Sequence, residues 1–284
     1  MSTTAPIDAP PATRPAPFLR WAGGKRRLMT ELRTRLPRPE DFTGRFFEPF
    51  LGGAALFFEH AVPGTRCVVN DAVPDLALTY TVLRDHPDEL IDALRVLARH
   101  TDEDAYYAQR KKTPRSAVAR AARTIYLNQT CFNGLHRTNA AGRFNVAFGH
   151  RKHPVVCNEA LLRADAARLQ GATIRTGDFA DAVRDAKAGD FVYFDPPHIP
   201  SSPTASFTKY AKDDFRESDH RRLAAVIDEL SARGVLVMAS NSDTPLTRSI
   251  FSALRLDAVT VSRSVAASAS RRGHAGEVIG TNYR

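Results

Sequence analysis

The chain has 284 residues, 43% of them hydrophobic and 25% charged, which is an ordinary globular balance and excludes a wholly disordered chain. No apolar run reaches about 18 residues, so no membrane-spanning helix is expected. Three scattered cysteines (Cys67, Cys131, Cys157) make neither a disulfide framework nor a zinc site by themselves. A reducing, cytoplasmic setting and a monomer are the default expectations. Forty Lys and Arg against 31 Asp and Glu give a net charge of +9. Such a surface attracts a polyanion, or simply keeps the protein soluble.

Residues 1–17, rich in Ala, Pro and Thr, lack the apolar stretch of a signal peptide. They read as a disordered tail, with order beginning at Phe18. Residues 45–48 and 67–70 read as buried strands, and residues 54–60, 76–83 and 89–98 as helices. The pattern then changes over 84–163. Within it, residues 101–160 carry ten Lys or Arg against four Asp or Glu, a local net of +6. Asn133-Gly134 and residues 139–142 are turn signals, and residues 143–148 alternate as one arm of a hairpin does. This stretch reads as an inserted, mainly helical subdomain with a basic hairpin tip. Its aromatics, interleaved with charge, favour a nucleic-acid contact over a merely solvated insertion. Strands at 191–194 and 235–239, with a helix at 220–233 between them, complete the reading. Alternating strands and helices predict an α/β fold with a parallel, doubly wound sheet.

The strand at 45–48 runs into Glu48-Pro49-Phe-Leu-Gly52-Gly53. Glycines at a strand end let the backbone approach a ligand closely. The next strand ends in Asp71, 18 residues beyond Gly53, where a carboxylate suits a ribose diol. The turn is neither GxGxxG nor a P-loop, so a nucleoside without a pyrophosphate fits better than a dinucleotide or an NTP.

Phe191-Val-Tyr-Phe194 stops at Asp195-Pro196-Pro197-His198. Proline has no amide hydrogen and a fixed φ, so the strand must end there in a stiff loop. The Asp195 carboxylate and the Pro196 carbonyl are both acceptors and suit a single NH2 group. His198 is placed as a stacking wall against a planar ring.

These blocks, in this order, resemble the Dam-type N6-adenine DNA methyltransferases, which use S-adenosylmethionine. The similarity covers nearly all of residues 18–284. It includes Phe18-Leu-Arg-Trp21-Ala-Gly-Gly-Lys25, the Glu48–Gly53 turn and Asn70-Asp71. It continues through Tyr126-Leu-Asn-Gln-Thr-Cys-Phe-Asn-Gly-Leu-His-Arg137, Gly142-Arg-Phe-Asn-Val-Ala-Phe-Gly149 and Asp195–His198. Residues 204–210, 240–244 and 277–283 also follow the pattern.

The resemblance implies a Rossmann-like methyltransferase domain (18–83 and 164–284) and a target-recognition subdomain (84–163). It implies double-stranded DNA as partner and nucleoid association when bound. It implies S-adenosylmethionine as cofactor, with no metal and no membrane. Trp21, Lys25, Glu48, Pro49, Gly52, Gly53 and Asp71 would form the cofactor site. Asp178 resembles the acid near the cofactor adenine, although its position equally suits a helix N-cap. Asp195, Pro196, Pro197 and His198 would hold the target amine, with Asp195 between it and the cofactor. Phe132, Asn133 and Asn139 fall in the recognition hairpin, Arg137 matches a base-reading arginine, and Arg151 and Lys152 suit phosphates or plain surface charge.

Two departures stand out. His198 replaces the family's usual Tyr, and Ala147 replaces a proline near a hairpin tip that also differs at 129–131. Cys131 lacks the Pro-Cys context of a nucleophile and reads as a small hairpin residue. An N4-cytosine or RNA N6-adenine methyltransferase, or a DNA-binding homologue with impaired catalysis, remain the alternatives.

Overall fold

The computed structural model describes residues 13–21, 23, 25, 28–60, 66–200, 215–262 and 274–283. Of the tail expected at 1–17, residues 1–12 lie outside them, as does the block at 204–210; residues 13–17 are described. Seven strands form one sheet: β1 (Phe46–Glu48), β2 (Cys67–Asp71), β3 (Thr173–Thr176), β4 (Phe191–Phe194), β5 (Leu236–Ser242), β6 (Arg255–Ser262) and β7 (His274–Thr281). Their spatial order is β3-β2-β1-β4-β5-β7-β6. The first five are parallel, and β7 runs antiparallel to both β5 and β6. The sheet is therefore mixed at one edge rather than wholly parallel.

The central strands are apolar because both of their faces are covered. Side chains alternate across a strand, so Phe46, Cys67, Val69, Phe191, Tyr193 and Met238 enter one hydrophobic cluster. Phe47, Val68, Val192, Phe194, Val237 and Ala239 enter the other. The helices that cover the sheet are α1 (Met29–Arg33), α2 (Ala55–His60), α3 (Pro74–Asp85), α4 (Pro87–Leu97), α5 (Glu103–Lys111), α6 (Ala117–Thr130), α7 (Glu159–Leu169), α8 (Phe179–Val183), α9 (Glu217–Ala232) and α10 (Pro245–Ile250). Proline opens α3, α4 and α10, where its missing N–H costs no hydrogen bond. Asp102, Ser116, Asn158 and Thr244 cap α5, α6, α7 and α10 with side-chain oxygens.

Helices α3 to α7 all lie between β2 and β3 in the chain. Leu90, Ile91 and Leu94 of α4, Tyr106 of α5, and Ile125 and Tyr126 of α6 join the first cluster, so this stretch packs onto the same core as the sheet. After α6 comes a single 3-10 turn, Phe132–Gly134, followed by a hairpin. The arm expected at 143–148 is present as two antiparallel bridges, Cys131 to Phe148 and Thr138 to Phe144, rather than a continuous ladder. The amide of Ala16 donates to Asp165 Oδ1 at 2.9 Å, which places residue 16 against α7.

The chain runs β1, β2, β3 in one direction and β4, β5 in the other. Order reverses between β1 and β4, and a crevice opens at the carboxyl ends of the strands there. Glu48, Asp71, Asp195 and Ser240–Ser242 all stand at those ends.

Candidate active site

A cavity of about 1720 Å3 occupies this crevice. Trp21, Lys25, Glu48, Pro49, Gly52, Gly53, Asp71, Asp178, Asp195, Pro196, Pro197 and His198 all line it. The cofactor and catalytic residues read from the sequence thus meet in one place. Of the residues assigned to DNA, only Arg151 lines the cavity.

The glycine turn is shaped by backbone and by Trp21. Gly52 has φ +49°, a left-handed conformation that disfavours a side chain. A Cβ there would lie 2.9 Å from Trp21 Cδ1. Tyr80 donates to the Gly52 carbonyl at 2.9 Å, and Asn70 donates to the carbonyls of Pro49 (3.0 Å) and Gly177 (3.1 Å). Asp71 accepts from the amides of Gly52 and Val73, both at 2.9 Å. Burial pushes its carboxyl up from the usual range, and those two amides hold it back. Glu48 is buried with Oε2 lacking a hydrogen-bond partner among the described residues. Burial, and then the Asp195 charge, push it well above the carboxylate range.

Asp178 caps α8 through the Ala180 amide at 2.9 Å. It also forms a two-point ion pair with Arg222 of α9, at 2.9 and 2.7 Å. That pair holds its carboxyl below the usual range. Arg222 in turn lies 4.3 Å over the Phe179 ring, and Phe179 stacks on Phe50 at 5.3 Å. One end of the cavity is therefore an aromatic wall edged by a carboxylate.

At the other end, Asp195 follows β4. Lys25 Nζ lies 2.9 Å from Asp195 Oδ1, and Ser240 Oγ donates to the same oxygen at 3.0 Å. Tyr193 and Ser240 hydroxyls are 2.8 Å apart. Burial and the Asp195 charge push the Tyr193 phenol well up, so it stays a donor. Among the described residues, no side chain donates to Asp195 Oδ2. Among the described residues, then, side chains anchor one oxygen and not the other. Burial raises the Asp195 carboxyl, but Lys25 and then His198 outweigh it, and it ends below the usual range. Lys25 also lies 2.8 Å from His198 Nε2 and 3.8 Å from Glu277 Oε2. His198 Nδ1 is 3.3 Å from Ser242 Oγ. Both edges of the imidazole are engaged, which leaves its faces for stacking.

Most of the residues expected to contact DNA lie away from the cavity. Phe132 is 52% exposed on the 3-10 turn, and Asn133 holds φ +53° beside it. Arg137 is exposed and braced across the hairpin by Asn145 Oδ1 at 2.8 Å. Asn139 folds its Oδ1 back onto the amides of Ala141 and Arg143, both at 3.0 Å, so that oxygen shapes the tip. Arg151 and Lys152 are exposed. Cys131 is buried, its thiol pushed up to about 11 by burial, in keeping with a packing residue.

Sequence reasoning missed several residues here. Ser240 lies in the 240–244 block and Tyr193 in the strand before Asp195, but neither receives a role there, and Arg222 falls in no motif. Asn128 escapes it too, although it pairs with both the amide and carbonyl of Arg20 at 2.8 Å and with the Gly134 carbonyl at 3.2 Å. His136 stacks on Trp21 at 5.4 Å and joins the hairpin base to the cavity wall.

A doubly wound sheet that opens a cavity at its switch point, with the stiff Asp195–His198 loop at one end, defines an α/β enzyme that binds its ligand at the carboxyl ends of the strands. Residues 21–265 match the family model of the D12 class N6 adenine-specific DNA methyltransferases. The chain is 38% identical over 276 residues to type II methyltransferase M1.LlaDCHI of Lactococcus lactis subsp. cremoris, covering 94% of this chain and 95% of that one. It is 34% identical over 266 residues to the DNA adenine methylase of Escherichia coli strain K12, covering 92% and 93%. Type II methyltransferase M.MjaIII of Methanocaldococcus jannaschii is 37% identical over 242 residues, 80% of this chain and 84% of that one. The chain belongs to the D12 class N6 adenine-specific DNA methyltransferases. The general reaction of that family is S-adenosylmethionine-dependent methylation of adenine N6 in DNA. No helix among the described residues is long and apolar enough to cross a membrane.

Proposed function

We propose that this enzyme methylates an adenine flipped out of double-stranded DNA at a short specific sequence. In this division of labour residues 18–83 and 164–284 hold cofactor and amine, and residues 84–163 read the target. The observation that carries the reading is the asymmetric Asp195 carboxylate, with Oδ1 held by Lys25 and Ser240 while no side chain among the described residues donates to Oδ2.

The cavity suits S-adenosylmethionine. The Phe50–Phe179 wall fits an adenine ring, Asp178 has acceptor capacity left beside its Arg222 pair, and Asp71 at the glycine turn fits the ribose hydroxyls. Gly52 and Gly53 keep the floor clear, and Trp21 backs them. The buried Oε2 of Glu48 fits a donor of the ligand. When bound, the cofactor supplies an electrophilic methyl group on a sulfonium. No cluster of metal-ligating side chains occurs among the described residues, and the roles assigned here call on none.

An adenine inside a duplex cannot reach this cavity, so it must leave the stack at a cost of a few kcal/mol. Phe132, half-exposed on its turn, fills the gap. The base enters beside His198, whose two ring edges are engaged by Lys25 and Ser242. Asp195 Oδ2 and the Pro196 carbonyl accept the two N6 hydrogens and turn the nitrogen lone pair toward the methyl carbon. The carboxylate then stabilises positive charge growing on N6. Arg137 suits guanine O6 and N7, while Arg151 and Lys152 suit phosphates.

A duplex with 2-aminopurine at the methylated position, located first by sequencing treated DNA, tests the flip. Its fluorescence rises on binding in this account. Unchanged fluorescence in a fully bound complex contradicts it.

A further inference from the structure

Methylation of an amine leaves the nitrogen with one proton too many, and that proton needs a route out. Asp195 is the first acceptor, but a carboxylate held below its usual range does not keep a proton. Lys25 Nζ touches Asp195 Oδ1 at 2.9 Å and His198 Nε2 at 2.8 Å. An ammonium has only hydrogens to offer, so the Nε2 facing it carries a lone pair. His198 is thus the neutral, Nδ1–H tautomer, with Ser242 Oγ accepting at 3.3 Å. Lys25 is nearly sealed off, with 6% of its side chain exposed, whereas His198 is 29% exposed and lines the cavity, in reach of water.

We propose that His198 receives, through Lys25, the proton that adenine N6 sheds on methylation. The inference rests on the reading of Asp195 as the residue that holds N6. The N6–CH3 bond forms as the methyl–sulfur bond breaks, and the sulfur keeps the electron pair. One N6 proton passes to Asp195. Lys25 gives one of its own protons to His198 Nε2, and the neutral amine that results takes the proton from the Asp195 carboxyl in its place. Lys25 and Asp195 return to their starting charge states, His198 becomes an imidazolium, and solvent removes the proton.

The groups that face His198 are Lys25, Asp195 on its own loop, Glu277 of β7 near Lys25, and His220 of α9, whose own ring burial keeps neutral. An imidazole that is already protonated cannot accept, and its charge opposes that of Lys25. A rate that depends on this acceptor therefore falls as the solution is made acid.

Single-turnover methylation of a duplex by cofactor-loaded enzyme in a series of buffers from acid to alkaline tests this. His198→Gln keeps an acceptor for Lys25 but does not titrate. We expect the wild-type rate to fall toward acid with unit slope. H198Q should lack that limb and run about 100-fold slower at neutral pH. His198→Gly should regain rate in proportion to added free-base imidazole. Cofactor binding, read by fluorescence of Trp21, the single tryptophan, verifies that each variant is folded. A wild-type acid limb that persists in H198Q, or no imidazole rescue of a cofactor-binding H198G, overturns the proton route alone. A wild type that binds cofactor and DNA but methylates no adenine overturns the proton route and the reading of Asp195 together.

Discussion

Lys25 and Asp195 form an ion pair 2.9 Å long between the amino-terminal segment and the loop after β4. The pair fixes which carboxylate oxygen is spent on structure and which remains for substrate. It also keeps Asp195 ionised at a half-buried position, as the acceptance of an N–H proposed for it requires. Removing one partner of a buried pair leaves an uncompensated charge. Lys25→Met is expected to destabilise the fold by up to about 3–5 kcal/mol, less the relief from partial exposure of Asp195. Burial, no longer opposed by Lys25, raises the Asp195 carboxyl, so residual activity should shift to higher pH. Denaturant melts and a pH–rate profile check both. An unmoved acid limb in K25M contradicts the role given to the pair.

Asp165 makes a second, separate pH prediction. Its side chain is buried, Oδ1 takes the Ala16 amide, and Oδ2 lacks a hydrogen-bond partner among the described residues. Burial pushes its carboxyl up to about 8. A carboxyl raised on folding binds protons more tightly in the folded state. Its contribution is therefore full below the unfolded carboxylate range and is lost as pH rises through about 8. Asp165→Asn keeps an acceptor for Ala16 and cannot ionise. Thermal melts should show D165N matching wild type near pH 5 and exceeding it by about 1–3 kcal/mol near pH 9. Parallel curves at both pH values would exclude ionisation of Asp165 as the cause.

Gly52→Ala tests the glycine turn. The left-handed φ costs a side chain roughly 1–2 kcal/mol, and the new Cβ would press on Trp21. S-adenosylmethionine affinity should fall about tenfold or more, with a change in Trp21 emission and little change in DNA binding. Wild-type affinity in G52A places the cofactor elsewhere.

Arg137 and Lys152 should separate base reading from phosphate contact. Arg137→Ala removes a guanidinium braced by Asn145 and should relax preference at one base pair at a cost of about 1–3 kcal/mol. Lys152→Ala should weaken binding to every sequence alike and flatten the salt dependence by about one charge. Binding isotherms over a panel of single-base variants at several salt concentrations distinguish the two. Identical effects on all sequences from both variants refute the assignment.

The parts legible in the sequence are those with local causes. Phe46, Phe47, Phe191 and Val192 mark strands buried on both faces, and Pro196 ends β4 where the motif says it must. Thr173–Thr176 hides because β3 is an edge strand with exposed threonines at both ends. β7 hides because Gly276 and Gly280 interrupt its pattern, and with it goes the antiparallel edge of the sheet. Asp71 is legible from its spacing to Gly53. The clasp of Lys25 on His198 is not, since no periodicity links positions brought together by the crossing of two chain segments. Asp178 satisfies both of its readings at once: it caps α8 and it edges the cavity, with Arg222 as a partner that only tertiary structure supplies.

The central claim is that Asp195 directs methyl transfer onto adenine N6. The most direct test incubates the enzyme with S-adenosylmethionine and methylation-free DNA, then quantifies modified nucleosides by mass spectrometry beside an Asp195→Ala control. The account predicts N6-methyladenine from the wild type and none from D195A, which should still bind DNA. N6-methyladenine from D195A at the wild-type rate, or N4-methylcytosine from the wild type, would contradict it.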